Sequence, residues 1–198
     1  MQNKKVDFLT PNLITISNLT NILEGCKRND RISQEKLYLQ FYPALYNLCN
    51  KFFDDEQDIV TAINNGMLRV FKNINQYDSN KAELFTWIYT VVRNAALTVV
   101  RDKKTKTVFL ELTTDISADV TVNPFKNTNE SEVFVYLGKL TATTRAVCSL
   151  FYIEDYSIKE ISACLEMKEG TVKWHLNEGR NKLKLIFQNN LVKVANVG

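Results

Sequence analysis

YSIKEISACLEMKEGTVKWHLNEGRNKLK, from Tyr156 to Lys184, reads as two short helices joined by a tight turn. Ser157 is a good N-cap, its hydroxyl able to satisfy a free backbone N–H of the first turn, and Glu160 three residues later completes a capping box. Ile158, Ile161 and Leu165 repeat at helical spacing and define one buried stripe. The turn falls at Glu166-Met167-Lys168, after which Glu169 opens a second helix with a carboxylate near its positive end. Val172, Leu176 and Leu183 form the inner face of that helix. Rotating by about 100° per residue puts Gly170, Trp174 and Asn177 roughly opposite, flanked by Thr171, Lys173 and Glu178.

A short helix that turns basic and polar groups outward after a tight turn is shaped for a DNA major groove. The candidate DNA-reading residues are Lys168, Gly170, Thr171, Lys173, Trp174, Asn177 and Arg180. An exposed Trp174 would stack on a ribose or touch a thymine methyl. Lys173 and Arg180 suit phosphates, which position a helix without reading sequence. Lys182 and Lys184 extend the basic track. The bland alternative is an antiparallel helix pair with a solvated charged face.

The other 169 residues bound the class, the chain having 198 in all, enough for one large or two small domains. A formal net charge of +3 gives only mild attraction to polyanions. The four cysteines, Cys26, Cys49, Cys148 and Cys164, are scattered with no C-x-x-C pair, so reduced and mostly buried thiols are expected. With one histidine, His175, expected at the edge of the apolar face, neither a metal site nor a cofactor is expected. No nucleophile–base pair, glycine-rich phosphate loop or paired carboxylate site stands at a useful spacing, which argues against an enzyme. The start is polar, and no stretch approaches the roughly 20 apolar residues of a membrane span. A cytoplasmic protein without direct membrane insertion is expected.

Three prolines, six glycines and a helical apolar period nearly throughout predict an all-α fold. Residues 1–18 read as a polar leader. A first helical domain covers 19–104, with helices near Leu19–Lys27, Ser33–Phe52, Glu56–Ile74 and Leu84–Lys103. Residues 75–81 are rich in turn formers and read as a loop. Helical period fails after Lys104, and 105–130 reads as a flexible acidic linker containing Pro124. A second helical domain spans 131–192, with the helix-turn-helix inside it. Aromatics crowd the end of the first domain, and Arg93, Arg101, Lys103 and Lys104 follow. Rings interleaved with cations suit single-stranded nucleic acid, bases lying on the rings while the backbone follows the charges. Phe71 and Phe85 are expected to be core. Tyr77, Trp87 and Tyr89 are candidates for the stacking role.

Three segments in order resemble the extracytoplasmic-function (ECF) sigma factors of bacterial RNA polymerase. Glu24–Cys49, EGCKRNDRISQEKLYLQFYPALYNLC, resembles the first helices of the family's N-terminal domain, particularly in bacteroidete-type members. Gly66–Asp78, GMLRVFKNINQYD, followed by Leu84–Lys104, LFTWIYTVVRNAALTVVRDKK, resembles its promoter-opening region. Tyr156–Leu176 resembles its C-terminal helix-turn-helix. The likeness runs from Leu23 to Lys184 and implies a promoter-specificity subunit whose partners are core RNA polymerase, promoter DNA and an anti-sigma factor. It implies polymerase contacts through Asp58, Asn64, Asn65, Leu68 and Arg69. It also implies −10 strand opening through Tyr77, Asp78, Asn80, Lys81, Trp87, Tyr89, Arg93, Asn94 and Arg101, and −35 reading by the helix from Glu169. The chain departs from the family pattern at Thr61, Asn65, Glu166, Lys168, Trp174 and Glu178. Glu166 stands where Gly is usual, so it must take a left-handed backbone or reshape the turn. Glu178 would repel a phosphate nearby. Two rival readings stand beside this one: a stand-alone helix-turn-helix regulator, and a degenerate sigma factor that occupies polymerase without opening promoters.

Overall fold

The computed structural model of the chain describes residues 16–104 and 130–195, and every regular element in them is helical. The expected linker lies outside the described residues apart from its last residue, and so does the expected leader up to residue 15. The first body holds α1 (Ile16–Lys27), α2 (Arg31–Asn50), α3 (Glu56–Asn73), a single 3₁₀ turn at Ile74–Gln76 and α4 (Leu84–Lys104). The second holds α5 (Glu130–Leu137), α6 (Ala142–Tyr152), α7 (Ile158–Leu165) and α8 (Glu169–Ala195). α1 thus begins three residues before the expected Leu19. Among the described residues no helix is long and apolar enough to cross a membrane.

Carboxylate caps set the first body's helix starts. Asp30 accepts from the Ser33 amide at 2.9 Å, and Asp55 from the amides of Gln57 and Asp58 at 2.8 and 3.2 Å. The Ser33 hydroxyl, and then its amide, hold the Asp30 carboxyl below the usual carboxylate range. α2 runs straight through Pro43, whose ring removes one backbone donor. Burial of Leu37 before it and of Leu45, Leu48 and Cys49 after it keeps both halves on one core. α3 lies along α4 with Gly66 at the crossing, where a Cβ would stand 2.7 Å from the Val92 Cα. Only glycine lets the two backbones approach so closely.

α6 is buried almost all round, from Thr144 to Leu150 and again at Tyr152. It packs against α7 and α8 on one side and against α4 on the other, so it has no solvated face of its own. Gly179 of α8 sits against Cys148 of α6, whose sulfur any Cβ would strike. Cys26, Cys49 and Cys148 are buried and Cys164 is half-buried, as the scattered spacing predicts. Burial pushes the Cys49 and Cys148 thiols up to about 12 and that of Cys26 to about 11.

The two bodies touch. Besides the packing of α4 on α6 and α7, the turn after α2 meets α6: the Ser149 hydroxyl donates to the Lys51 carbonyl at 2.6 Å. Arg145, 1% exposed, donates Nε to the Leu137 carbonyl at 2.8 Å, and its Nη2 lies 3.1 Å from Asp54 of the first body.

Candidate nucleic-acid interface

The helix-turn-helix forms as its residues dictate. Ser157 Oγ accepts from the Glu160 amide at 3.2 Å while the Glu160 carboxylate accepts from the Ser157 amide at 2.8 Å, so the capping box is closed in both directions. Ile161 and Leu165 are buried and Ile158 is half-buried. α7 ends at Glu166, which adopts the left-handed conformation at φ 49°, ψ 52°. The strain, about 1–2 kcal/mol for a residue with a Cβ, is accepted because the turn is tied on both sides. The Glu166 and Met167 amides both donate to the Ser162 carbonyl, and the Ser162 hydroxyl donates to the Met167 carbonyl at 2.5 Å. Met167 is buried under the turn.

α8 then buries Val172, His175, Leu176, Gly179 and Leu183. Lys168, Glu169, Gly170, Lys173 and Lys184 are exposed, and Thr171, Trp174, Asn177 and Arg180 are half-buried around them. Trp174 is therefore less open than the sequence suggests, its ring standing edge-on to His175 with centroids 4.8 Å apart. His175 lies deeper than an edge position, with Nδ1 2.9 Å from the Thr144 hydroxyl. Arg180 directs Nε back toward the Leu176 carbonyl at 3.4 Å, which draws it from the outward track. Glu178 meets Lys182 Nζ at 2.7 Å and accepts from the Thr144 hydroxyl at 3.3 Å, so its charge is locally compensated.

In the first body, the loop from Tyr77 to Glu83 is bound to itself. Asp78 Oδ1 accepts from the Asn80 amide at 3.0 Å, and the Lys81 amide donates to the Asp78 carbonyl at 3.1 Å. Lys81 Nζ is 3.8 Å from the Asp78 carboxylate. The Tyr77 hydroxyl donates to the Ala82 carbonyl at 3.1 Å, and its ring lies against Trp87 with centroids 5.5 Å apart. Asn80 and Lys81 face solvent. Phe71 is half-buried, but Phe85 is 39% exposed and not core, stacked between Phe41 and Tyr89 on a surface ridge.

Among the described side chains of α4, the cations Arg93, Arg101 and Lys103 are each engaged. Arg93 places its guanidinium 5.2 Å over the Tyr156 ring and 3.6 Å from Glu154. Tyr89 donates to Glu154 at 3.0 Å, and Lys51 Nζ reaches the same carboxylate at 2.5 Å. Burial by itself would lower the Lys51 ammonium, but Glu154 and Tyr89 together hold it above the ordinary lysine range. Arg101 pairs with Glu166 and Lys103 with Asp58. Asn94 is exposed. On α3, Asn65, Leu68 and Arg69 form an exposed stripe, while Asn64 beside them accepts from the Tyr38 hydroxyl at 2.8 Å. Leu68 in this stripe is 53% exposed. Sequence reasoning missed Lys51, Arg145 and Glu154. Arg145 alone carried a signal, being a cation inside the apolar period of α6.

Comparison with known proteins follows this geometry. Residues 37–106 match the family description Sigma-70 region 2, and 132–183 match Sigma-70, region 4. The ECF RNA polymerase sigma factor SigM of Bacillus subtilis (strain 168) is 23% identical over 155 residues, 77% of this chain and 94% of that protein. SigW of the same organism is 25% identical over 178 residues, 82% of this chain and 92% of its own length. Among solved structures, RpoE in complex with the anti-sigma factor NepR from Bartonella quintana aligns with 78% of this chain and 96% of its own, at 17% identity and a TM-score of 0.43. The chain belongs to the sigma-70 family, as an ECF-type RNA polymerase sigma factor that directs promoter-specific transcription initiation.

Proposed function

We propose that the two bodies divide promoter recognition between them, in the cytoplasm and without catalysis of their own. The N-terminal domain, residues 19–104, docks on core polymerase through Asp58, Asn64, Asn65, Leu68 and Arg69. Its loop, with Tyr77, Asp78, Asn80 and Lys81, receives a base flipped from the non-template strand. Trp87, Tyr89, Arg93, Asn94 and Arg101 then follow the opened strand, rings under bases and guanidiniums on phosphates. The C-terminal domain, residues 131–192, sets Lys168, Gly170, Thr171, Lys173, Trp174 and Asn177 toward the −35 major groove, and Arg180 joins them on leaving the Leu176 carbonyl. An anti-sigma protein that holds the factor in reserve belongs to the same proposal and rests on the family resemblance.

The observation that carries this reading is the outward face of α8. Val172, Leu176 and Leu183 are buried while Gly170 and Lys173, with Lys168 just before the helix, are exposed beside Thr171, Trp174 and Asn177. Joining a weak duplex contact to a second module raises the effective concentration of each, so neither has to bind tightly alone. Flipping a base costs a few kcal/mol, least where the duplex is already open. The test is transcription from genomic DNA by core polymerase with and without the protein, with permanganate mapping of unpaired thymines. Specific start sites with reactive thymines are expected. Tight, specific promoter binding by the protein alone would instead indicate a stand-alone regulator, and no specific transcript would indicate a degenerate factor.

A further inference from the structure

Glu154 lies in the connection between α6 and α7, and its carboxylate is turned into the seam between the two bodies with 9% of the side chain exposed. One oxygen accepts from Lys51 Nζ at 2.5 Å and from the Tyr89 hydroxyl at 3.0 Å; the other lies 3.6 Å from Arg93 Nη1. All three partners belong to the first body. A carboxylate withdrawn from water this far is costly unless charge and hydrogen bonds replace its hydration, and here they come only from across the seam. The connection is shaped for the purpose. Asp155 takes a left-handed backbone at φ 55°, and the Ile153 and Glu154 amides both donate to the Ser149 carbonyl at 3.1 Å. The contacts around it repeat the arrangement: Tyr156 beneath the Arg93 guanidinium, and Glu166 on Arg101.

We infer that Glu154 is an intramolecular latch, a carboxylate that takes the place of a nucleic-acid phosphate on α4 and holds the free factor closed. The inference rests on the strand-following role proposed above for α4 only in saying what the latch displaces; the closure stands on the seam contacts themselves. With α6 and α7 packed on α4, a strand meets exposed Asn94 but not the engaged face of that helix, and Arg93 cannot meet a phosphate while Glu154 holds it. Duplex reading and strand holding therefore become available together only when the bodies part. Binding to polymerase or promoter must first break this polar cluster, which keeps the free factor from engaging single strands at random.

The test uses the whole chain with spin labels at Glu35→Cys and Asn181→Cys in a Cys164→Ser background, the remaining thiols being buried. Dipolar spectroscopy on the free protein should give one narrow, short distance distribution. Glu154→Gln, nearly isosteric, should raise the population of long distances about tenfold, the effect of losing charge-assisted hydrogen bonds, and Glu154→Arg should raise it further. Unchanged far-UV circular dichroism checks that the helices persist; should Glu154→Arg not fold, Glu154→Gln decides. A broad, long distribution in the unsubstituted chain, or no change in Glu154→Gln, overturns the latch. Anisotropy with a fluorescein-labelled short oligothymidylate separates the two readings. Opening together with tighter oligothymidylate binding upholds both. Opening without it upholds the latch and removes the strand role of α4, while tighter binding without opening overturns the latch.

Discussion

α4 and α8 both carry cations on one face and apolar side chains on the other, yet they stand in opposite states. On α8, Lys173 and Lys184 are exposed, and Lys182 meets only Glu178 of its own helix. On α4, Arg93 and Arg101 are held by carboxylates of the second body and Lys103 by Asp58 of its own. The face proposed for closed duplex is displayed, and the face proposed for a melted strand is covered. Charge content does not tell a binding surface from a seam. What decides is whether a carboxylate elsewhere in the chain has reached the cation first.

The comparison breaks most severely at Arg145, which lies where the bodies meet. Arg145→Leu should cost about 2–3 kcal/mol, from the loss of the buried guanidinium's hydrogen bond to the Leu137 carbonyl, which keeps only the Leu140 amide. Asp54 contributes little because its side chain is 67% exposed. Urea unfolding followed by fluorescence reads the loss. Gly66→Val should cost about 1–3 kcal/mol by overpacking the α3–α4 crossing. Hydrogen exchange should then report loosening in the first body and not in α6 to α8.

Paired substitutions sharpen the contrast between the two faces. Lys173→Ala should weaken holoenzyme binding to closed promoter duplex and reduce the salt dependence by about one phosphate contact. Arg93→Ala should leave that closed-duplex affinity nearly intact while abolishing permanganate-reactive thymines. Equal loss of duplex affinity in both variants would erase the distinction. A smaller effect is expected at the turn. Glu166→Gly should stabilise the second body by about 0.5–1 kcal/mol, since glycine takes the left-handed backbone without strain and the exposed pair with Arg101 is worth little. A thermal shift upward checks it.

Stability should also depend on pH. Below the ordinary thiol value of 9.0, Cys49 and Cys148 are protonated in both folded and unfolded chains, and their contribution is constant. Between 9.0 and about 12 the unfolded chain loses these protons and the folded chain keeps them, so stability falls as pH rises. Urea midpoints from pH 8 to 10.5 should therefore decline, and a Cys49→Ala, Cys148→Ala chain should decline less. At neutral pH, Cys164 should react first with a thiol reagent and the other three only on unfolding.

The helix-turn-helix was legible because its signals are local. The capping box spans four residues, and the apolar stripes of α7 and α8 need only helical periodicity. For Glu166, which stands where the family usually has Gly, the resemblance left a left-handed backbone or a reshaped turn, and the first is found. α2 was legible despite Pro43 because Leu37, Leu45 and Leu48 keep one phase across it. What stayed hidden depends on distant pairing. Glu154 lies 65 residues beyond Tyr89 and 103 beyond Lys51, and no period links them. Phe85 was expected in the core because aromatic content was taken for burial. Its ring instead closes a ridge with Phe41 and Tyr89, a surface that packing of α2 on α4 creates and no window of sequence contains.

The Tyr77–Glu83 loop has a kinetic consequence. Its hydroxyl-to-carbonyl tie, its aspartate turn and the Tyr77–Trp87 ring pair fix several torsions before any ligand arrives. Freezing each such residue on arrival would otherwise cost about 1–2 kcal/mol of backbone entropy. In the role proposed for it, this cradle would meet a nucleotide with a finished shape, and the time the nucleotide stayed would be governed by how well it fits rather than by how fast the loop can organise around it.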